Sequence, residues 1–358
     1  MRARVLVLML AGLVAAGCSG DDEEQAEPHP KSRVVVVTPD PEAAARVPIV
    51  GATPLEERAT RQALAGLGPA PGIRRISFDD RGPEADPRRI VIEIASAGDA
   101  AVQFEREWLG YLVATDVQDA LRRRGGWVDW IEVADTGMLL DPALFKHRTA
   151  DEVGALGTGI AAQLASQGYR ASVTAYPIGP GAVKVVVPLS PEQIIRNESV
   201  DWSSVLQGRS NRAAFYLAFN MTVGPDGIPL AYGANFGRST GGGTSEAAAG
   251  DRVSGPPLAL DGATRLSVEI DRSFSSGQTL RYAIDCPTDQ RVCEAIRSDW
   301  LTFVPPTSRG AECGGPQTDT MRLEGTLGGI PIEREYDGCY ADTIQRWERL
   351  LGVPLPSY

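Results

Sequence analysis

The chain contains one match to a catalytic motif, Gly237-Arg238-Ser239-Thr240-Gly241, which has the form G-x-S-x-G. In hydrolases this motif holds a serine nucleophile on a strained turn between a strand and a helix. Here glycines follow Ser239, which disfavours the helix, and no histidine follows that could act as its base, because the last one is His147. We interpret the motif as a coincidental match in a glycine-rich loop, with a hydrolase centred on Ser239 as a remote alternative.

Histidine is the usual general base near neutral pH and the commonest metal ligand, yet the chain has only His29 and His147. His29 lies in a polar, proline-punctuated segment. His147 lies between Lys146 and Arg148, and this basic neighbourhood disfavours both its protonation and a bound cation. The sequence therefore predicts no catalytic, cofactor-binding or metal-binding residues, and we expect a protein that is not an enzyme.

Neighbouring carboxylates could act as a general acid and base if folding placed them around a substrate. Asp79-Asp80 is more typical of a solvated turn, because Gly82-Pro83 follows closely. Glu105 and Glu107 are more typical of a solvated helix face. We assign none of these carboxylates to a catalytic site.

The chain begins with the features of a signal peptide. Arg2 and Arg4 form a basic start, and residues 5–16 form an almost unbroken apolar run. That run is too short to span a bilayer as a helix. We predict that residues 1–17 are a signal peptide.

The end of this run, Leu13-Val14-Ala15-Ala16-Gly17-Cys18, resembles the lipobox of bacterial lipoproteins, in which small residues precede a cysteine that receives the lipid. The resemblance implies a diacylglyceryl group on Cys18 and a location on the outer face of the cell membrane. The alternative is an ordinary secretory signal that is cut near Ala16 or Gly17, with Cys18 incidental.

The segment after Cys18 is acidic, polar and proline-punctuated, and we predict a tether over residues 18–48. The whole chain has a net charge of −11, which becomes −13 once the two signal-peptide arginines are removed. Such a charge disfavours nucleic acid as a partner. The membrane, through Cys18, is the partner that the sequence predicts.

Four cysteines remain, Cys286, Cys293, Cys313 and Cys339. Their spacing lacks the C-x2-C pattern of zinc sites. An even number of cysteines in an exported protein is normally a disulfide framework, for which three pairings are possible. We favour Cys286–Cys293, which is local, and Cys313–Cys339, which would link the start of a strand pair to its end.

Residues 49–190 are predicted to form an α/β domain in which helix–strand–strand occurs twice. We expect the helices to cover one face of a mixed or antiparallel sheet. A β-branched run at 34–37 and an extended connection at 39–50 precede it. The predicted helices are 53–67, 101–124 and 150–167, and the predicted strands are 73–78, 89–94, 127–133, 171–176 and 182–188.

Residues 191–257 have a different composition and are predicted to be a hairpin region followed by a linker. A short helical stretch covers 191–206, and a strand pair covers 213–223 and 228–236 around Gly224-Pro225-Asp226-Gly227. The glycine-, serine- and alanine-rich stretch 239–257 reads as a long loop or linker.

Residues 258–358 are predicted to form a compact α+β domain, a disulfide-stapled antiparallel sheet with two helices. The expected order is strand 264–270, strand 278–285, helix 291–303, strand 319–326, strand 330–336 and helix 341–351.

Five segments of this region together resemble the bacterial subtilisin inhibitor-like family, over about residues 258–352. They are Leu280-Arg281-Tyr282-Ala283-Ile284-Asp285-Cys286, Val292-Cys293, Glu312-Cys313-Gly314-Gly315-Pro316-Gln317, Gly325-Thr326-Leu327-Gly328-Gly329 and Asp337-Gly338-Cys339. The resemblance implies the family's fold and an exposed loop after the third cysteine that enters a serine protease.

The sequence departs from the family in that loop. Only Gly314 and Gly315 separate Cys313 from Pro316, so that the specificity position falls on Gly315, which has no side chain to fill a protease pocket. Pro316 has no backbone N–H and a fixed φ. We interpret residues 314–316 as a vestigial reactive loop.

These observations predict a non-catalytic lipoprotein that binds or supports a component of the cell envelope. The alternative is a membrane-tethered inhibitor of serine proteases. The protein partner would be an envelope protein in the first case and a protease in the second.

Overall fold

The computed structural model describes residues 32–69, 72–80, 88–128, 130–134, 136–138, 148–206, 216–235, 257–258, 262–307 and 319–353. The helices are α1 (Pro41–Ala45), α2 (Pro54–Leu67), α3 (Ala100–Arg122), α4 (Ala150–Ser166), α5 (Pro191–Ile195), α6 (Trp202–Val205), α7 (Gln290–Ser298), α8 (Trp300–Phe303) and α9 (Ala341–Leu351). The strands are β1 (Arg33–Val36), β2 (Ile49–Val50), β3 (Ile73–Asp79), β4 (Arg89–Ile94), β5 (Trp130–Val133), β6 (Thr136–Met138), β7 (Ser172–Tyr176), β8 (Ala182–Pro188), β9 (Leu217–Val223), β10 (Pro229–Asn235), β11 (Arg265–Arg272), β12 (Gln278–Asp285), β13 (Thr320–Leu327) and β14 (Ile330–Tyr336).

The strands form three sheets, and the first two share one topology. The first sheet has the order β2-β3-β4-β5-β6 and the second β1-β7-β8-β9-β10. In both, successive pairs are parallel, antiparallel, parallel and antiparallel. The third sheet is antiparallel throughout, in the order β12-β11-β13-β14. The chain is therefore a mixed α+β protein whose first two sheets repeat one arrangement.

The helices of the two repeated units begin in the same way. Thr53 before α2 and Thr149 before α4 each accept a hydrogen bond from a backbone N–H three residues on, and the glutamates there, Glu56 and Glu152, bond back to the threonine N–H. These reciprocal capping boxes satisfy N–H groups that a helix start otherwise leaves unpaired. Both helix starts are therefore encoded locally.

Helix α3 is buried between the first and second sheets. Trp108 faces the second sheet, with its ring centroid 5.9 Å from that of Tyr176 and 5.7 Å from that of Phe219. Gly110 faces the first sheet, where a Cβ atom would lie only 2.8 Å from a methyl carbon of Val133. Every residue from 108 to 121 is buried. Most of this stretch is apolar, as expected for a helix that is buried on all sides.

Two buried polar side chains of α3 are paired with backbone groups. The Asp116 carboxylate accepts a hydrogen bond from the N–H of Gly179, at 2.6 Å, in the turn between β7 and β8. The amide of Gln118 both donates to and accepts from the backbone of Val128, at 2.5 and 2.9 Å. These bonds compensate for the desolvation of the polar groups and fix α3 against both neighbours.

The third sheet packs on α7, α8 and α9 and is anchored to the second unit. Arg334 on β14 is buried and donates to the carbonyl oxygens of Ile194 and Ile195, at 2.6 and 2.8 Å, at the end of α5. Nearby, the Asn197 amide donates to the Thr307 hydroxyl and accepts from the Thr307 N–H, at 2.9 and 3.0 Å. One apolar cluster runs continuously from α4 to α9. The third sheet and its helices are therefore packed firmly against the second repeated unit.

The structure changes several of the predicted boundaries. The predicted tether, 18–48, contains β1, which pairs with β7 and so belongs to the second sheet. The predicted hairpin at 213–236 is β9 and β10, which join the same sheet through β8. Residues 39–50 are not all extended, because Asp40 caps α1. Pairing between distant segments leaves no local sequence signal, which explains the first two differences.

Two further expectations were wrong. The second sheet has helices on both faces, since α4 packs on one face and α3 on the other. The predicted helices 191–206 and 291–303 are each two shorter helices, α5 with α6 and α7 with α8. The other predicted elements within the described residues are present, with ends shifted by at most about three residues.

We predict that Trp108→Ala lowers the free energy of unfolding by about 3 to 5 kcal/mol, because it leaves a cavity between the two sheets. Trp127→Ala is the matched control, since Trp127 is 38 % exposed, and should change it by about 0.5 kcal/mol or less. Urea denaturation of both variants measures the difference. Equal losses in the two variants would contradict the placement of α3.

Candidate functional site at the ends of the third sheet

One end of the third sheet is closed by a disulfide. Cys286, directly after β12, is bonded to Cys293 in α7, with a Cα–Cα distance of 5.4 Å. The N–H of Cys286 donates to the carbonyl of Thr264, at 3.1 Å, which ties the bridge to the residue directly before β11. This pair was predicted from its local spacing, and it is confirmed.

An open cleft of about 480 Å³ lies beside this disulfide. The N–H of Leu258 donates to the carbonyl of Arg297, at 2.9 Å, and closes one side of the cleft. Its lining combines apolar, polar and charged groups, namely Pro257, Leu258, Cys286, Gln290, Cys293, Glu294, Arg297 and Ser298. Such a mixed, open surface suits contact with another protein better than enclosure of a small molecule.

The opposite end of the same sheet carries an exposed aromatic side chain on a braced loop. Phe274, between β11 and β12, is 61 % exposed. On one side, Asp271 accepts hydrogen bonds from the N–H, at 2.9 Å, and the hydroxyl of Ser273. On the other side, Asp319 accepts hydrogen bonds from the N–H, at 3.1 Å, and the hydroxyl of Ser275. The two residues that flank Phe274 are thus both fixed.

The base of this loop is also fixed. The carbonyl of Arg272 accepts from the N–H groups of Ser276 and Gly277, both at 2.8 Å. The buried guanidinium of Arg272 lies 3.3 Å from the buried carboxylate of Glu348 in α9. Burial raises the pKa of Glu348, although the charge of Arg272 acts in the opposite direction. The loop is therefore anchored to the helical layer beneath the sheet.

This arrangement can present one aromatic ring to a partner at low entropic cost. Aromatic anchors contribute much of the binding energy in protein interfaces, and a preorganised loop loses little freedom on binding. The sequence predicted the two strands on either side of this loop but did not single out Phe274. The available signal was a phenylalanine flanked by serines next to Asp271.

The vestigial reactive loop predicted at Gly314, Gly315 and Pro316 lies outside the described residues, as does Cys313. Cys339 is disulfide-bonded, and it follows β14 at the end of the sheet that carries the Phe274 loop. Asp319, which braces that loop, is the first described residue after the predicted reactive loop. Cys18, His29, His147 and Ser239 also lie outside the described part of the chain.

The acidic pair Asp79-Asp80 is held in ion pairs. Asp79 accepts two hydrogen bonds from Arg89, at 2.9 and 2.8 Å, and Arg89 also donates to Glu132, at 2.9 Å. Asp80 lies 3.0 Å from Arg88. The two carboxylates are thus paired with arginines at the start of β4 and directly before it.

Glu105 and Glu107 differ in their partners. Glu105 forms a close ion pair with Lys184 on β8, which links α3 to the second sheet. Glu107 accepts a hydrogen bond from the Gln103 amide at 2.8 Å, one turn earlier on α3. Neither arrangement places two carboxylates around a common cavity.

The described residues contain no group of three or more His, Cys, Asp and Glu side chains that could hold a metal ion. None of the described helices combines the length and apolar character needed to cross a membrane.

Comparisons of the chain with protein-family models, with curated proteins and with solved structures found no match.

The network at the start of α2 predicts a pH dependence of stability. Arg88 donates to both carboxylate oxygens of Glu56, at 2.9 and 2.8 Å. Burial alone would raise the pKa of Glu56, but the hydrogen bonds from Arg88 and Thr53 outweigh it and lower the pKa below its ordinary value. The contribution of Glu56 is therefore present above the unfolded-state pKa and lost as the pH falls through the folded-state pKa.

We predict that Glu56→Gln reduces the loss of unfolding free energy between about pH 6 and about pH 3. The exposed neighbour Glu57 supplies the control, Glu57→Gln, which should leave the pH dependence close to that of the unsubstituted chain. Urea denaturation at each pH gives the free energies. A pH profile unchanged by Glu56→Gln would show that the ion pair with Arg88 does not contribute.

Proposed function

We propose that this chain is a lipid-anchored extracytoplasmic protein that binds another protein of the cell envelope without catalysing a reaction. The Phe274 loop is the observation that supports this function most strongly. Its fixed, exposed ring is suited to occupy an apolar pocket on a partner. The charges next to it, Asp271 and Asp319, favour a pocket with a basic rim.

The proposed location is supported by three features. Residues 13–18 have the lipobox pattern that places the lipid on Cys18, and an acidic segment follows. The disulfide Cys286–Cys293 is typical of a protein that folds in an oxidising compartment. Together they favour the outer face of the membrane over the cytoplasm.

The second candidate is a membrane-tethered serine protease inhibitor of the subtilisin inhibitor-like type. It is favoured by the order of strands and helices around the third sheet and by Cys286–Cys293, which match the expected pattern. The missing side chain at Gly315 argues against it. Stoichiometric inhibition of subtilisin or trypsin by the purified chain would replace our proposal with this one. A hydrolase that uses Ser239 stays a remote alternative.

We predict that the unsubstituted chain incorporates labelled palmitate and sediments with membranes, whereas Cys18→Ser abolishes the labelling and releases the chain. The reason is that thioether attachment needs the cysteine sulfur. Cys286→Ser with Cys293→Ser is the control for general cysteine loss and should stay labelled. Labelling that persists in Cys18→Ser would exclude the proposed anchor.

We predict that a photo-activated benzoylphenylalanine at position 274 cross-links one envelope protein in intact native cells. The same probe at Val50 is the control, since Val50 is 45 % exposed and lies on the first sheet. The cross-link should also weaken when Ser275→Ala removes one of the bonds to Asp319. Identical products at positions 274 and 50 would contradict a binding role for the Phe274 loop.

A further inference from the structure

The outer edge of the second sheet is open at β1. Among the described strands, β7 is the one that pairs with β1, and the other edge of β1 has no partner. Natural proteins usually protect such edges with lysine, proline or a bulge. Between Arg33 and Val36 there is no lysine or proline, and the pairing with β7 runs without a register shift.

The hydrogen bonds of β1 show which backbone groups face outward. The N–H groups of Arg33 and Val37 donate to Ala171 and Ala175, at 2.9 and 2.8 Å, on the β7 side. Since backbone groups alternate along a strand, Val35 also faces β7, and the N–H and C=O groups of Val34 and Val36 face the open edge. Two residues of β1 can therefore accept a further strand.

The side chains of β1 are exposed on both faces of the sheet. Val35 is 39 % exposed on the face that α3 covers, and Val36 is 37 % exposed on the face that α4 covers. Both are among the few large apolar side chains of the described residues with such exposure. A strand laid beside β1 would bury part of both.

Helix α4 provides a second apolar surface next to this edge. A Cβ atom on Gly157 would contact Val34 of β1 at 3.1 Å and Val173 of β7 at 3.3 Å, so α4 lies over both strands. From Val153 to Ser166 the helix carries no charged residue, in a chain of which 23 % is charged. Its exposed positions there include Ala155, Thr158 and Gly159.

We propose that two copies of this chain associate through β1, with antiparallel pairing of the two β1 strands into a ten-stranded sheet and packing of the two α4 helices beside it. Adjacent strands lie about 4.8 Å apart, so two helices that each lie over β1 and β7 come within about 10 Å. That distance is the normal separation of packed helices, and small residues permit it.

The alternation of β1 limits the register of this dimer, because outward-facing residues must pair with outward-facing residues. Among the registers that allow this, we propose the one that pairs both outward-facing residues within β1, with Val34 of one copy opposite Val36 of the other and Val35 opposite itself. Gly154 of α4 is close to Val36 and Gly157 is close to Val34, so the two-fold axis passes α4 between these two glycines. The buried residues of α4 face the sheet. At 100° per residue, Ala155 points away from the sheet, whereas Thr158 lies on the flank next to β1, within about 4 Å of the level of the axis.

A second copy fits this surface better than an unrelated partner. Two molecules of net charge −11 repel each other over most of their surfaces, and this flank of α4 is uncharged. Thirteen residues, 19–31, separate Cys18 from Ser32, which directly precedes β1, and a chain of that length can span about 45 Å. If Cys18 carries the proposed anchor, two chains on one membrane bring their β1 strands within reach.

The test uses the full chain with Cys18→Ser, so that its result does not depend on the anchor. Val35→Cys should form a disulfide-linked dimer under mild oxidation, because the two Val35 positions face each other. Val50→Cys, an exposed valine on the edge strand β2, is the matched control and should stay monomeric. Circular dichroism confirms that both variants are folded.

Light scattering tests the helix contact. The unsubstituted chain should show twice the monomer mass, and Thr158→Arg should weaken the dimer by about tenfold or more because it brings two charges together beside the axis. Ala165→Arg, exposed on the same helix but seven residues further from the axis, should leave it unchanged. A monomer at all concentrations without a Val35→Cys cross-link would overturn the proposal, as would a dimer that Thr158→Arg does not affect.

Discussion

The burial of α3 on two sides is the constraint on which the arrangement of the first two sheets depends. A helix that packs against one sheet needs one apolar stripe, whereas α3 is buried at every position from 108 to 121. Trp108 packs against aromatic side chains of the second sheet, and the absence of a side chain at Gly110 lets the first sheet approach closely. Because α3 covers one face of each of the two sheets, each repeated unit would leave an apolar surface exposed without the other. The bond from Gly179 to Asp116 then fixes how far along α3 the second sheet lies.

Most helices and strands could be predicted from the sequence because their signals are local. Capping boxes at Thr53 and Thr149, alternation in β12 and β14, and glycines at turns are each read within a few residues. The pairing of the strands could not be predicted in the same way. Arg33 pairs with Ser172 across the whole first unit, and no pattern near either residue reveals this. The domain boundaries drawn from composition therefore separated β1, β9 and β10 from the sheet that they complete.

The candidate site shows the same limit. Cys286 and Cys293 are seven residues apart, and their pairing followed from that spacing. The role of Phe274 depends on its exposure and on Asp319, which is 45 residues away and becomes its neighbour only when β11 and β13 pair. The carboxylates that are close together in the sequence form ion pairs with basic side chains from other strands, Asp79 with Arg89 and Glu105 with Lys184. Spacing along the chain thus predicted the local disulfide correctly, but it did not predict which side chains form ion pairs.

The position of β1 has a consequence for any force or motion that reaches the protein through its N-terminus. β1 is not a flexible extension, because it is held by the backbone of β7 and by the close approach of Gly154 and Gly157 of α4. α4 shares one continuous apolar core with α5 and the third sheet, and Arg334 joins those two directly. A partner bound at Phe274 would therefore be connected to β1 through packed elements, without a hinge among the described residues. In the proposed anchored protein, the orientation of the binding loop relative to β1 is set by the fold.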